Sequence, residues 1–139
     1  MIKQFKLSFF QTFSATFIWI LLLMSLFLKD ISITISYNWN LVGISTIFAL
    51  IFGVMYPALW NFSSMKAIYK ILISSTINLC GGLISVWLFS SVMFEIIRHW
   101  ILIIAIVTII GHIIAFYFYS KWDNERSSDK LNTLLKKSN

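Results

Sequence analysis

The sequence predicts an all-α membrane protein in which four transmembrane helices form an antiparallel bundle with both termini in the cytoplasm. Three observations favour this fold class: an apolar composition, four long apolar runs, and basic residues concentrated on alternate connections. Of the 139 residues, 59% are hydrophobic and only 12% are charged, whereas a water-soluble domain carries about 25% charged residues. A chain of this size has too little interior to hide so many apolar side chains from water.

Four apolar stretches are long enough to cross a bilayer, because one helical crossing takes about 20 apolar residues. They run over residues 7–28, 41–60, 71–94 and 100–119. Backbone groups in lipid must satisfy one another, so we expect each stretch to be a helix. The apolar core of the first stretch is too long for a signal peptide, and no cleavage pattern follows it. Residues 1–120 are therefore the predicted transmembrane domain, and residues 121–139 form a charged cytosolic tail.

Basic residues predict the orientation, since Lys and Arg concentrate on the cytoplasmic side of membrane proteins. The two outer connections hold only Lys29 and Arg98. The ends of the chain and the connection between spans two and three hold the other nine basic residues: Lys3, Lys6, Lys66, Lys70, Lys121, Arg126, Lys130, Lys136 and Lys137. The sequence therefore predicts a multi-pass protein of the cell membrane with both termini in the cytoplasm.

The first outer connection, residues 29–40, alternates isoleucine with serine or threonine at Ile31, Ile33 and Ile35. A period of two is typical of an extended segment with one face against the membrane. An exposed edge that recruits a strand from a partner is the alternative. Further along, Pro57 lies in the last turn of span two, where it is expected to end or bend the helix.

The tail is predicted to form a short cytosolic helix with Ser127 or Ser128 as its N-cap. Within it, Leu131, Leu134 and Leu135 recur at helical spacing and form an apolar stripe. So narrow a stripe does not fold alone. It needs either a membrane surface or a protein to cover it, and the sequence leaves both open.

Small and polar residues recur on one face of span three and on one face of span four. Because lipid tails are as apolar as leucine, helices in a bilayer associate through close packing at small residues and through hydrogen bonds. We therefore expect spans three and four to pack as an antiparallel hairpin along these two faces. The faces consist of Ser74, Asn78, Gly81, Gly82 and Ser85 in span three, and of Ala105, Thr108, Gly111, His112 and Ala115 in span four.

Asn78 and His112 lie at matching depths in spans three and four, each about eight residues, or roughly 12 Å, from the cytosolic end. We therefore expect the two side chains to approach each other and to satisfy each other's polar groups. An ionisable group inside a membrane is also a functional candidate by default. A structural hydrogen bond and a role in moving a proton or substrate both stay open for His112.

The sequence contains no pattern that predicts catalysis. The spans carry no pair of carboxylates for acid–base chemistry, and no Ser–His–Asp set or metal-ligand spacing is present. The single cysteine, Cys80, excludes a disulfide within the chain. Glu95 and Arg98 are spaced for an ordinary ion pair on one helix face. We therefore expect no enzymatic activity, no cofactor, no metal and no direct contact with nucleic acid.

The last span and the tail read YFYSKWDNERSSDKLNTLLKK, an aromatic stretch followed by a charged stretch and then an Asn- and Leu-containing end. Over residues 114–137 this sequence resembles a family of small four-span bacterial membrane proteins of unknown function (DUF type), encoded beside LytTR-type transcription regulators. The resemblance implies a regulatory role, in which the membrane protein holds or restrains a cytosolic DNA-binding partner.

Three functions follow as hypotheses. The first is a non-enzymatic regulator or adaptor that docks a cytosolic protein through Lys66, Lys70 and the three tail leucines. The second is a small transporter or transporter subunit, in which Asn78, His112 and the glycines form a pathway. The third is an immunity protein against a membrane-active peptide of the bacteriocin type. Association between copies of the chain is open under each of them.

Overall fold

The computed structural model describes residues 2–27 and 34–138, apart from the side chains of residues 123, 130–132 and 134–138. Five helices account for nearly all of this part of the chain. They are α1 (Ile2–Phe27), α2 (Ile35–Phe62), α3 (Ala67–Phe89), α4 (Ser91–Ile97) and α5 (Ile101–Ser138), with one 3-10 turn (Arg98–Trp100) between α4 and α5. The prediction of an all-α fold is confirmed, and so are four helical segments long and apolar enough to cross a membrane.

Neighbouring long helices run antiparallel. The start of α1 meets the end of α2, where the Phe5 and Phe62 rings lie 5.5 Å apart. The end of α1 meets the start of α2, where Met24 and Leu41 are buried together. One end of the bundle thus brings together Lys3, Lys6, Lys66, Lys70 and Lys121, and we call it the lysine-rich end.

Helix α2 widens in its second half. Regular α-helix over Ile35–Phe48 gives way to π-helical turns over Ala49–Met55 and Ala58–Phe62. The Tyr56 N–H accordingly donates to the carbonyl of Ile51, five residues earlier. Pro57 lies between the two wide segments and does not end the helix, because the wider turns accommodate its missing N–H.

A close crossing of two helices lies between α1 and the wide part of α2. A Cβ added to Gly53 would come within 2.9 Å of the Phe9 Cα and of the Ser8 carbonyl oxygen. Gly53 is therefore required there, since a side chain would force the two backbones apart. Gly53 is not among the residues predicted from the sequence, although Ala49 four residues earlier gives the small-residue spacing typical of close helix packing.

Two predicted segments differ in the structure. Residues 35–40 of the first outer connection are helical rather than extended, because Thr34 caps α2 and its Oγ1 accepts from the Tyr37 N–H at 3.3 Å. Residues 29–33 lie outside the described part of the chain. The third helix ends at Phe89 rather than near residue 94, since Ser90 is extended and caps α4 through the Met93 N–H.

The tail is not a separate helix. Helix α5 runs without a break over 38 residues, from Ile101 to Ser138. Ser127 and Ser128 lie inside it, so the prediction that one of them caps a new helix is wrong. The run of charged and polar residues after Ser120 carries the helix on because it contains no glycine or proline to stop it.

Candidate functional site: a cleft between α2, α3 and α5

Helices α2, α3 and α5 enclose a cavity of about 470 Å³ in the half of the bundle nearer the lysine-rich end. We call it the His112 cleft. Its walls are aromatic and apolar with a few polar groups, which is typical of a ligand site. The cleft is lined by Tyr56, Trp60, Asn78, Thr108, Gly111, His112, Ala115, Phe116 and Tyr119.

A hydrogen bond between the Tyr56 hydroxyl and Nε2 of His112 crosses the cleft from α2 to α5. The other ring nitrogen, Nδ1, lies 2.7 Å from the Thr108 carbonyl oxygen, one turn earlier in α5. A carbonyl oxygen only accepts hydrogen bonds, so Nδ1 carries a proton and donates a hydrogen bond to the Thr108 carbonyl. In the tautomer that carries its proton on Nδ1, Nε2 accepts and the Tyr56 hydroxyl donates to it.

Asn78 and His112 line the same cavity, but no hydrogen bond joins these two described side chains. The expectation that they satisfy each other's polar groups is therefore wrong, since both nitrogens of His112 already have partners. The wide turns of α2 place Tyr56 opposite His112. The Asn78 amide is left partly exposed on the cleft wall, where it is available to an occupant.

Small residues predicted to join α3 to α5 have other neighbours. Gly81 packs against α2, because a Cβ there would clash with Cδ1 of Ile51. A Cβ added to Gly82 or to Gly111 would meet no atom within 4 Å. Gly111, Thr108 and Ala115 line the open His112 cleft instead.

Gly82 lies with Ser85 on a second, apolar groove of about 600 Å³ that Thr16, Trp19 and other residues of α1 border. The predicted small-residue faces therefore border open space as well as helix contacts. Helices α3 and α5 do pack together, with Leu72 and Leu79 near Ala105 and Ile109.

Serine hydroxyls on α3 have mixed environments. Ser74 is fully buried, and its Oγ donates to the Lys70 carbonyl at 2.6 Å. Ser75 and Ser85 are also buried, and their hydroxyls have no partner within the described part of the chain. Among these, only the Ser74 hydroxyl is satisfied, and it bonds within its own helix rather than to α5.

Aromatic side chains extend the cleft towards the lysine-rich end. The Trp60 ring lies 5.7 Å from Phe116 and 5.8 Å from Tyr119, between ring centroids. Beyond these three residues lies a second cavity of about 260 Å³, which they share with Lys70 and Ser120. The Lys70 ammonium lies 6.0 Å from the centre of the Trp60 ring, at the limit of a cation–π interaction.

Tyr56 and Trp60 are not among the site residues predicted from the sequence. A signal for both was present: Tyr56 and Trp60 are four residues apart on α2, and His112 and Phe116 are four residues apart on α5. Residues at this spacing share a helix face, so two such pairs pack in register when their helices run parallel. That the two pairs pack in register is known only from the contact between α2 and α5 in the structure.

The predicted partner-contact residues lie apart from the floor of the cleft. Lys66 is exposed immediately before α3, while Lys70 is half-buried against Trp60. Leu131, Leu134 and Leu135 belong to the last turns of α5, and their side chains lie outside the described part of the chain.

Ionic chemistry is sparse among the described residues. The predicted ion pair is present, with Nε of Arg98 3.0 Å from Oε2 of Glu95, and both side chains are more than half exposed. An exposed pair of this kind contributes at most about 1 kcal/mol. Within residues 2–27 and 34–138, no three His, Cys, Asp or Glu side chains lie together as metal ligands.

No family model, curated protein or solved structure matches this chain.

Proposed function

We propose that the protein is a non-enzymatic regulator or adaptor of the cell membrane that docks a cytosolic protein through the end of α5. The observation that carries this proposal is the unbroken helix from Ile101 to Ser138. At 1.5 Å per residue, its 38 residues span about 57 Å. A bilayer crossing uses about 20 of them, so about 18 extend beyond the membrane.

The extension continues the same helix that packs in the bundle. A side chain of α5 bonds to Tyr56 within the cleft, and the same helix continues into the charged segment after Ser120. A shift or rotation of α5 in the bundle therefore moves the extension as well. This connection supports a protein that restrains or releases a partner, and the resemblance described above makes a transcription regulator the favoured class of partner.

Membrane insertion and orientation are part of the proposal. The four apolar helical segments support insertion, and the clustering of lysines at one end of the bundle supports a cytoplasmic location for that end. Single cysteines at Ser127 and at Ser90, in a Cys80→Ser background, test this in intact cells. A membrane-impermeant maleimide should label Ser90→Cys and leave Ser127→Cys unlabelled until the cells are opened.

Co-purification tests the docking function. The tagged full-length chain is extracted in mild detergent, and the proteins retained with it are quantified. Ser127→Pro breaks α5 below the cleft, because proline inside a helix costs about 3 kcal/mol. Replacement of Leu131, Leu134 and Leu135 by Gln removes the apolar stripe, and Asn132→Gln is the matched control. A docked partner should be lost from the first two variants and retained by the control and by His112→Leu.

Retention that does not change when the stripe is removed would contradict docking by the tail.

A second candidate, transport, is favoured by the His112 cleft, which holds the Tyr56–His112 pair and the Asn78 amide. The variants separate the two functions in a complemented deletion strain. If the protein is a transporter, His112→Leu abolishes complementation and the tail variants retain it. If it docks a partner, the tail variants abolish complementation and His112→Leu retains it.

A further inference from the structure

We propose that the His112 cleft and its mouth bind an anionic glycerophospholipid, with the phosphate at Lys70 and one acyl chain in the cleft between α2, α3 and α5. The first support is the shape of the space. The deep cavity of about 470 Å³ and the outer one of about 260 Å³ share Trp60, Phe116 and Tyr119 as a common wall. A ligand that occupies both is elongated, with one end at the lysine-rich end and the other beside His112.

The second support is the difference in chemistry along that length. The outer cavity presents the Lys70 ammonium and the Ser120 hydroxyl, whereas the deep cavity is walled mainly by aromatic rings and small residues. Among the described side chains, no Asp or Glu lines either cavity, and Lys70 makes no ion pair with any described residue. An occupant that complements both parts is anionic at the mouth and apolar inside.

A phospholipid of the surrounding bilayer meets both requirements. The inference rests on the membrane insertion proposed above and not on the docking function. A free phosphate would fill only the mouth and leave the aromatic wall uncovered, whereas an acyl chain covers it. The phosphate of such a lipid lies at the membrane surface, which is the depth expected for Lys70 in the first turn of α3.

Gly111 allows a direct test of the chain-binding part. A Cβ at this position meets nothing within 4 Å, and Gly111 lines the cleft, so we expect a leucine there to occupy the space of the acyl chain. Gly82→Leu is the matched control, because Gly82 is equally open but borders the groove beside α1. Lys70→Gln removes the charge at the mouth, and exposed Lys121→Gln is its control.

Native mass spectrometry of the full-length chain counts bound lipids directly. The probes are phosphatidylglycerol and phosphatidylcholine with identical chains, added to the protein in detergent. We expect retention of phosphatidylglycerol over phosphatidylcholine, about a fivefold loss of that preference in Lys70→Gln, and loss of both lipids in Gly111→Leu. Lys121→Gln and Gly82→Leu should retain phosphatidylglycerol as the wild type does.

Three results would overturn the inference. One is equal retention of the two lipids by the wild type, and another is unchanged retention in Gly111→Leu. The third is displacement of the lipid by inorganic phosphate alone, which would assign the mouth to a soluble anion. Helical content and elution volume are measured for each variant, and Ala115→Leu replaces Gly111→Leu if that variant does not fold.

Discussion

The Tyr56 hydroxyl donates a hydrogen bond to Nε2 of His112, and this bond joins α2 to α5 across an otherwise aromatic cleft. The Thr108 carbonyl on the other side of the ring only accepts, so Nδ1 of His112 donates to it. Helix α5 packs chiefly on α3, and its opposite face is open, with Leu102 80% exposed. The Tyr56–His112 bond is therefore a specific link between α5 and the first half of the chain.

A double-mutant cycle should find coupling between these two residues. Tyr56→Phe removes only the hydroxyl, and His112→Ala removes its acceptor. Hydrogen bonds between membrane helices contribute about 0.6 kcal/mol on average and up to about 1.7 kcal/mol, so we expect a coupling of about 1 kcal/mol in the free energy of unfolding. Titration of the protein in mixed micelles with dodecyl sulfate measures it.

Asn78→Ala is the control for this cycle. It removes the residue that sequence depth pairs with His112, and no hydrogen bond joins the two described side chains. Asn78→Ala combined with His112→Ala should therefore be additive within about 0.5 kcal/mol. Strong coupling of Asn78 with His112, together with none for Tyr56, would mean that α3 rather than α2 holds the histidine.

The sequence predicted the four long apolar helical segments correctly, because that prediction depends only on the length and composition of each apolar run. It did not predict which helices the small residues contact. Periodicity shows that Gly81 and Gly82 lie close to one another along α3, but not that Gly81 meets Ile51 of α2 while Gly82 borders open space. The direction of the Tyr56 side chain towards His112 depends on the π-helical geometry of α2, and no residue pattern in the sequence predicts that geometry.

Glycine substitutions should separate the close crossing from the open positions. Gly53→Ala places a methyl group 2.9 Å from backbone atoms of Ser8 and Phe9, which must then move. Overpacking of this kind costs about 1–3 kcal/mol. Gly82→Ala and Gly111→Ala meet no atom within 4 Å and should be neutral or stabilising by up to about 1 kcal/mol. The micelle titration described above ranks the three variants.

Gly81→Ala should fall between these extremes. Its added methyl group meets Cδ1 of Ile51, the flexible end of a side chain that is free to change rotamer. A Gly53→Ala protein as stable as Gly82→Ala would show that α1 does not cross α2 at this point.

Paired cysteines should locate the neighbour of Gly81. In a Cys80→Ser background, Ile51→Cys with Gly81→Cys should form a disulfide under mild oxidation, because Cγ1 of Ile51 lies 3.6 Å from the Cβ position of Gly81. Gly82→Cys with Thr108→Cys should not, since Gly82 borders the groove beside α1 and Thr108 lines the His112 cleft. Non-reducing electrophoresis after cleavage between α2 and α3 distinguishes the pairs. A disulfide in the second pair and none in the first would show that the glycines of α3 contact α5 instead of α2.

Tyr37 should stabilise the end of α3. Its hydroxyl donates to the Phe89 carbonyl at 2.8 Å, and this carbonyl belongs to the last residue of α3, where Ser90 turns the chain into an extended conformation. Carbonyls in the last turn of a helix have no N–H partner within the helix. The Tyr37 hydroxyl therefore satisfies a carbonyl that would otherwise be unpaired. Tyr37→Phe should destabilise the fold by about 0.5–1.5 kcal/mol.

Local exchange distinguishes this role from a general loss of stability. The Ser90 amide donates to the Val86 carbonyl at 2.8 Å in the same turn, so Tyr37→Phe should speed its hydrogen exchange while amides in the middle of α3 keep their rates. Tyr117→Phe is the matched control, because Tyr117 is 65% exposed and makes no hydrogen bond to a described residue. Equal effects of the two substitutions on Ser90 would show that Tyr37 contributes bulk rather than a bond, and that α3 ends at Phe89 without help from α2.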